Sequence, residues 1–237
     1  MLFRLKKMVP GFAKKILRPV HNILANKYSS ELEFWKSRHR EDNGKFNNSF
    51  YKDMMLAIAN ESNEEFINNK IIADFGCGPR GSLVWANSAK LRLGIDVLVD
   101  RYADEFKQDI ISHNTLYIKS TEKCIPIPNN YVDIVFSINA MDHVDNFSAM
   151  CAEILRILKI GGFLYCSFNL GEPKSATEPQ KLSESIIHTN LLNKMKIHEY
   201  RITNKGPQGN IYKPFYKNEL SYNSNKEGFL WLKASKL

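Results

Sequence analysis

From residue 70 onward the chain alternates short, continuously apolar runs with stretches that are apolar along one side only. Lys70–Phe75, Leu91–Asp96, Leu116–Lys119, Val132–Ile138 and Phe163–Phe168 are rich in Ile, Val, Leu and Phe, the mark of strands covered on both faces. Phe147–Leu158 repeats its apolar residues at three- and four-residue spacing, and Lys159 with Gly161–Gly162 predicts its end, so it reads as an amphipathic helix. Ser82–Ala89 predicts a helix after the first strand, and Asp104–Ser112 a weaker one after the second. A polar loop over 171–181, a helix near 182–194, a strand near 196–203, a long loop and a last strand over 228–234 complete the chain. Strands separated by helices imply βαβ units, hence a doubly wound α/β domain on a mostly parallel seven-stranded sheet.

The first sixty residues follow a different pattern. Residues 2–28 read as two short basic amphipathic pieces separated by Pro10–Gly11, and roughly 30–38 and 50–60 are helical. Residues 1–60 are therefore expected to form a helical extension, and 61–237 the α/β domain. Charge sharpens this division. Residues 1–30 hold seven basic residues and no acidic one, while 26 of the 33 Lys and Arg and all 25 Asp and Glu lie beyond them. The positive charge is thus concentrated away from the α/β body, which argues against nucleic acid as a substrate. A basic amphipathic segment suits either a membrane surface, at which the protein would sit peripherally, or packing on the domain or a second subunit. No run approaches the length needed to span a bilayer. Cys77, Cys124, Cys151 and Cys166 are scattered without metal-ligand spacing, which points to a reducing, cytoplasmic compartment and to no bound metal.

The candidate chemistry begins at Ile71-Ile72-Ala73-Asp74-Phe75-Gly76-Cys77-Gly78-Pro79-Arg80-Gly81. Glycines after a buried strand let the backbone turn sharply and approach a ligand at the edge of the sheet. Asp96 ends the next strand, where a carboxylate can accept hydrogen bonds from ribose hydroxyls. Together these predict an adenosine-containing cofactor. Asp74, two residues ahead of Gly76, would set negative charge beside a diphosphate, so it disfavours a nicotinamide dinucleotide. It suits the sulfonium and ammonium groups of S-adenosylmethionine.

Asp74-Phe75-Gly76-Cys77-Gly78 resembles the D-x-G-x-G motif of class I S-adenosylmethionine-dependent methyltransferases. Pro126-Ile127-Pro128-Asn129-Asn130-Tyr131-Val132-Asp133-Ile134-Val135 resembles a signature of their type 11 small-molecule subgroup, and Glu153–Gly162 its E-x-x-R helix and Gly-Gly turn. The resemblance covers roughly residues 70–170 and implies a Rossmann-like sheet. It implies a cofactor site around Asp74, Gly76, Cys77, Gly78 and Asp96, with Asn139 at the end of the fourth strand. Ser120 stands where many relatives carry Asp, leaving Ser120, Thr121 and Glu122 as candidate adenine contacts, and Arg80 is a candidate partner for the cofactor carboxylate. Residues 78–86 and 139–144 are similar to methyltransferases found among bacterial surface-glycan genes.

In such a fold the end of the fourth strand meets the transferable methyl, which makes His143 the candidate general base. Its alternative role is to pack the start of the following helix. Asn139-Ala140-Met141-Asp142 lacks the Pro-Pro-aromatic element of enzymes that methylate exocyclic amines of bases, so oxygen of a small molecule or saccharide is the expected target. Phe34, Trp35 and Tyr51 are candidates for a lid, and Tyr200, Tyr212, Phe215 and Tyr216 for an acceptor pocket. Two other readings compete: a non-catalytic module that binds an adenosine ligand, and a nicotinamide-dependent oxidoreductase.

Overall fold

Alternate residues of the strands feed two separate cores. Ala73, Val135, Leu164 and Leu230 face one way, towards the helix that carries Phe147, Met150 and Ile154. Their neighbours Ile72, Ile134, Tyr165 and Phe229 face the other way, against Met54, Met55 and Ile58. This two-residue period, with both sets buried, is what a sheet sandwiched between helices requires. The computed structural model describes residues 27–121, 123–175, 177–206 and 221–237. The basic segment over 2–28 lies outside the described residues up to residue 26, as do Glu122, Tyr212, Phe215 and Tyr216.

Among the described residues two helices come first, α1 (Lys27–Glu41) and α2 (Tyr51–Ala59). Strands β1 (Ile71–Phe75) and β2 (Leu91–Asp96) follow, then helices α3 (Val99–Glu105) and α4 (Lys107–Ser112) and strands β3 (Leu116–Lys119) and β4 (Val132–Ile138). Helix α5 (Phe147–Ile157), strand β5 (Leu158–Leu170), helix α6 (Glu184–Asn190) and strands β6 (Met195–Asn204) and β7 (Gly228–Lys236) end the chain. The sheet runs β3-β2-β1-β4-β5-β7-β6. Pairings from β3 through β5 are parallel, and β7 lies antiparallel between β5 and β6. The expected Rossmann-like, mostly parallel seven-stranded sheet is therefore present. Its order reverses between β1 and β4, and that switch point is where open α/β sheets bind ligands.

Two expectations fail locally. Residues 82–89 form turns and not the helix expected after the glycine loop. Gly81 (φ 80°) turns the chain just ahead of the segment, and few residues remain before β2 must begin. Its carbonyls turn instead to Arg92 of β2, whose Nη1 donates to Leu83 O at 3.4 Å and Val84 O at 3.0 Å. The pair Gly161–Gly162 likewise does not end α5. The chain already enters β5 at Leu158, opposite Val132, and the register then shifts before Ile134 meets Phe163. Asn130 and Tyr131 donate backbone N–H to Arg156 O and Ile157 O, which draws the end of α5 into the sheet early.

The N-terminal helices are bound into this body at both ends of the sheet. Arg201 of β6 donates to the last carbonyls of α2, Ala57 O and Ile58 O, each at 3.0 Å, where a helix C-terminus leaves acceptors open. Helix α1 rests on α3 and α4 through a third core of Phe46, Leu98, Tyr102 and Phe106, with Leu32 and Trp35 packed against it. Buried Asp109 of α4 accepts from Phe46 N at 3.0 Å and pairs with His39 of α1 at 3.1 Å.

Candidate active site

The type 11 signature motifs hold the frame together. Arg156 of α5 makes two bonds to Glu153, at 2.7 and 2.8 Å, and donates to Ile127 O and Ile125 O, each at 2.7 Å, and to Asn129 Oδ1 at 2.9 Å. Glu153 in turn accepts from Ile125 N at 2.8 Å. One ion pair thereby fastens the 125–129 loop ahead of β4 to α5. Asp133 accepts from Ile71 N at 2.8 Å and from Lys159 Nζ at 2.7 Å, tying the entry of β4 to β1 and β5. Burial works against its charge, but Lys159 and the Ile71 N–H hold the carboxyl below its usual range.

A cavity of about 650 Å³ opens over the switch point. The ends of β1 and β2 supply Asp74, Gly76, Cys77 and Asp96, and the β3–β4 connection supplies Thr121. The end of β4 supplies Asn139 and His143, and Arg80 also reaches the wall. Gly78 does not. The indole of Trp35 covers it so closely that a Cβ there would lie 2.4 Å from Trp35 Cζ2. Gly76 is equally confined, since its Cβ would lie 2.2 Å from Ala140 Cβ, and both glycines sit at positive φ, 73° and 57°. The loop is therefore a close backbone approach that only glycine permits.

Asp74 is 4% exposed, and the Ser82 hydroxyl donates to it. Burial pushes its carboxyl up to about 7, opposed by the Ser82 hydrogen bond and assisted by the nearby Asp96 charge. Burial also raises Asp96 to about 6, against the backbone bonds from Leu98 N at 2.9 Å and Gly78 N at 3.1 Å. Those two bonds leave acceptor capacity on the carboxylate, enough for a pair of hydroxyls. Neither carboxylate has a cationic side chain within ion-pair distance among the described residues. Arg80 is engaged elsewhere. Its Nη2 meets Asp42 Oδ2 at 2.6 Å, and the guanidinium stacks over Phe46 and Phe50 at 5.9 and 5.4 Å. Lys27 on the opposite wall pairs with Asp145 at 2.7 Å.

Two buried carboxylates left without cations, beside a glycine cradle, fit a donor that carries a sulfonium, an ammonium and a ribose. S-adenosylmethionine has all three. Asp74 would face its positive charge and Asp96 its ribose, with the Gly76–Gly78 backbone beneath. Thr121 is less open than its sequence position suggests, because its hydroxyl accepts from Lys123 N and Cys124 N at 3.2 and 3.0 Å and closes a turn. Ser120 is buried beside it, with its backbone N–H on Asp96 O.

The acceptor side is polar and layered. Asn139, at φ 51°, accepts from Asn169 Nδ2 at 2.8 Å, and its own N–H bonds Ser167 Oγ at 2.9 Å. His143 closes a short 3-10 turn (Met141–His143), with its N–H on Ala140 O, and its ring is partly exposed to the cavity. Asp142 beside it is 2% exposed and accepts from Asn169 N at 3.2 Å. Burial raises the Asp142 carboxyl, and the neighbouring His143 acts the other way. The remaining wall comes from α1 and from Thr177 and Glu178 after β5. Phe34, Trp35 and Tyr51 do reach this cavity, and so does Glu31, which the motifs did not single out. Its signal was its place four residues before Trp35, the spacing that brings Glu31 Oε1 to 2.9 Å from the indole N–H. Tyr200 lies elsewhere, on β6 with its hydroxyl on Glu184, so it does not line the site.

Residues 73–166 match the model of a methyltransferase domain family, type 11. The ubiquinone/menaquinone biosynthesis C-methyltransferase UbiE of Stutzerimonas stutzeri is 30% identical over 89 residues, 37% of this chain and 32% of that protein. The matched stretch thus spans about a third of that relative's length. Among solved structures, an S-adenosylmethionine-dependent methyltransferase from Mesorhizobium loti superposes with a TM-score of 0.53 at 14% identity, covering 72% of this chain and 92% of that one. The cyclase SpnF superposes with a TM-score of 0.56 at 17% identity, covering 78% and 80%. These structural likenesses concern the fold, and a cyclase among them shows that the fold alone does not dictate a reaction. The family match and the motifs behind it make residues 73–166 similar to the type 11 family of methyltransferase domains.

Proposed function

We propose that the protein transfers a methyl group from S-adenosylmethionine to an oxygen of a small-molecule or saccharide acceptor. The observation that carries this reading is the pair of buried carboxylates, Asp74 and Asp96, facing one cavity with His143 and without a cation of their own. A diphosphate would be repelled there. The turns at 82–89 also offer no helix N-terminus to hold one, which weighs against a nicotinamide enzyme.

The donor supplies an already activated methyl, so the protein has to align it, exclude water and take up the acceptor's proton. Asp74 opposes the positive charge, Asp96 holds the ribose, and the glycine loop sets the distance. Helix α1 acts as a lid, with Trp35 seated on Gly78 and Glu31 and Phe34 on the cavity wall. His143 takes the hydroxyl proton as the acceptor oxygen attacks. Phe34, Phe50 and Tyr51 line the cavity and supply the aromatic surface on which sugar rings commonly pack. This agrees with the similarity of residues 78–86 and 139–144 to surface-glycan methyltransferases. The family match spans residues 73–166, whereas α1, Thr177 and Glu178 on the acceptor wall lie outside it.

The test screens hydroxylated small molecules and saccharides by release of S-adenosylhomocysteine, then compares wild type with His143→Ala on the acceptor found. Turnover should fall at least about a hundredfold, with donor affinity by calorimetry nearly unchanged. Near-normal turnover in the variant would remove His143 from the reaction. Donor binding without turnover on any acceptor would favour the non-catalytic module.

A further inference from the structure

Asp142 Oδ1 and His143 Nε2 are both buried, and neither has a hydrogen-bond partner among the described residues. They lie 3.9 Å apart. That exceeds hydrogen-bond length by only about 1 Å. Leaving a buried polar atom unpaired is costly, and here two such atoms of complementary type lie near each other. The other carboxylate oxygen is already engaged, because Oδ2 accepts from Asn169 N. The second imidazole nitrogen, Nδ1, is not buried and has no partner among the described residues, which leaves it as the ring's open nitrogen.

We infer that Asp142 is a positioning residue for His143: it accepts the Nε2 proton, so that the neutral ring presents the Nδ1 lone pair to the acceptor hydroxyl. This deepens the proposed reaction and rests on it. When the acceptor O–H bond breaks, its proton passes to Nδ1 and the oxygen's electron pair forms the new bond to the methyl. The sulfur–methyl bond's electrons stay with the sulfur, which becomes a neutral thioether. The resulting imidazolium lies against the Asp142 carboxylate, which need not take the proton itself. Of the other charges near the pair, Glu172, which acts on Asp142, is bridged by Lys205, Asp145 is bridged by Lys27, and Glu178 lines the same cavity as His143.

The anchor on Asn169 makes Asp142→Asn a sharp probe. Asn169 N–H requires an acceptor at the Oδ2 position, so the amide oxygen goes there and the amide NH2 turns towards Nε2. Nε2 must then accept, and the proton moves to Nδ1. Replacing such a carboxylate by its amide imposes the wrong tautomer in a catalytic histidine. Proteins labelled with ¹⁵N-histidine report the tautomer directly at a pH where the ring is neutral, with His143→Gln assigning the signal. The wild type should carry its proton on Nε2 and Asp142→Asn on Nδ1. Donor affinity should stay within about twofold, since Asp142 does not line the cavity. Turnover should fall about as far as in His143→Ala. An Nδ1–H ring in the wild type overturns the inference with no variant needed, and so does an Nε2–H ring in Asp142→Asn. Loss of donor binding by the wild type would instead bring down the methyltransferase reading and leave the tautomer result standing.

Discussion

Gly76→Ala is expected to weaken S-adenosylmethionine binding by roughly a hundredfold or more, and to destabilise the ligand-free protein as well. Two independent costs meet at this position. The backbone holds φ 73°, where an L side chain costs about 1–2 kcal/mol. The new Cβ would also lie 2.2 Å from Ala140 Cβ, against about 3.5–4.0 Å for carbons in contact. Relieving such an overlap in packed surroundings costs about 1–3 kcal/mol. Ala140 stands between Asn139 and Met141, so the displacement pushes apart the two strand ends that enclose the cavity. At about 1.4 kcal/mol per factor of ten, the combined strain amounts to roughly two to three orders of magnitude, most of it expected in affinity because the displaced strand ends enclose the cavity. Gly161 supplies the control. It has the same φ of 73°, but a Cβ there would meet nothing within 4 Å, so Gly161→Ala should cost only the backbone part and leave donor affinity alone. Calorimetry and thermal unfolding of both variants make the comparison, and equal donor affinity in the two would separate the glycine loop from the donor site.

Asp74→Asn should have a comparable effect on affinity, with a pH signature of its own. The amide keeps the shape of the side chain and removes its charge. Opposite unit charges about 4 Å apart interact by about 4 kcal/mol at the effective dielectric of such sites, and part of this is offset by desolvation. The expected loss of donor affinity above pH 7 is therefore about a hundredfold. In the wild type the carboxyl sits at about 7 because it is buried, above the ordinary 3.8. A raised carboxyl stabilises the folded chain fully at pH below about 4, and that contribution is lost as pH rises through about 7. The cationic donor reverses the preference, since it binds the ionised form. Wild-type affinity should thus climb about thirtyfold between pH 5.5 and 8, with protons released on binding. Asp74→Asn should remove most of that slope, leaving a residue from Asp96, which titrates at about 6. Without donor, the variant should be the more stable protein at pH 8. A wild-type affinity that is flat across this range, or a variant with undiminished affinity, would dissociate Asp74 from the positive charge of the ligand.

The sheet was legible in the residues because its strands are buried on both faces and read as unbroken apolar runs. All seven appear within a few residues of their expected limits, apart from β5, which begins at Leu158 where 163 was expected. What the pattern could not show was competition for backbone groups. Residues 82–89 have helical composition, but Arg92, on the neighbouring strand, takes the carbonyls of the turn. The strand-end acids were readable from spacing, and both line the cavity. Arg80 and Thr121 also reach the wall, yet each already has partners, Asp42 for one and the 123–124 backbone for the other. Their engagement depends on residues that only folding brings near. Helix α1 as part of the cavity wall is the least legible part. Helix α1 is weakly amphipathic in sequence and has no fully buried residue, yet Trp35 and Glu31 on one of its faces complete the cavity. The motifs most specific to the resemblance, Glu153–Arg156 and Asp133, brace the frame, whereas Asp74, Asp96 and Gly76 line the cavity.

Titration of the wild-type protein with S-adenosylmethionine, S-adenosylhomocysteine and a nicotinamide dinucleotide in the same calorimeter tests the central claim most directly. Saturable one-to-one binding of the two adenosyl ligands is expected, the sulfonium form gaining on the neutral thioether as pH rises through 7 and Asp74 ionises. The dinucleotide should not bind. Dinucleotide binding without binding of either adenosyl ligand would contradict the account.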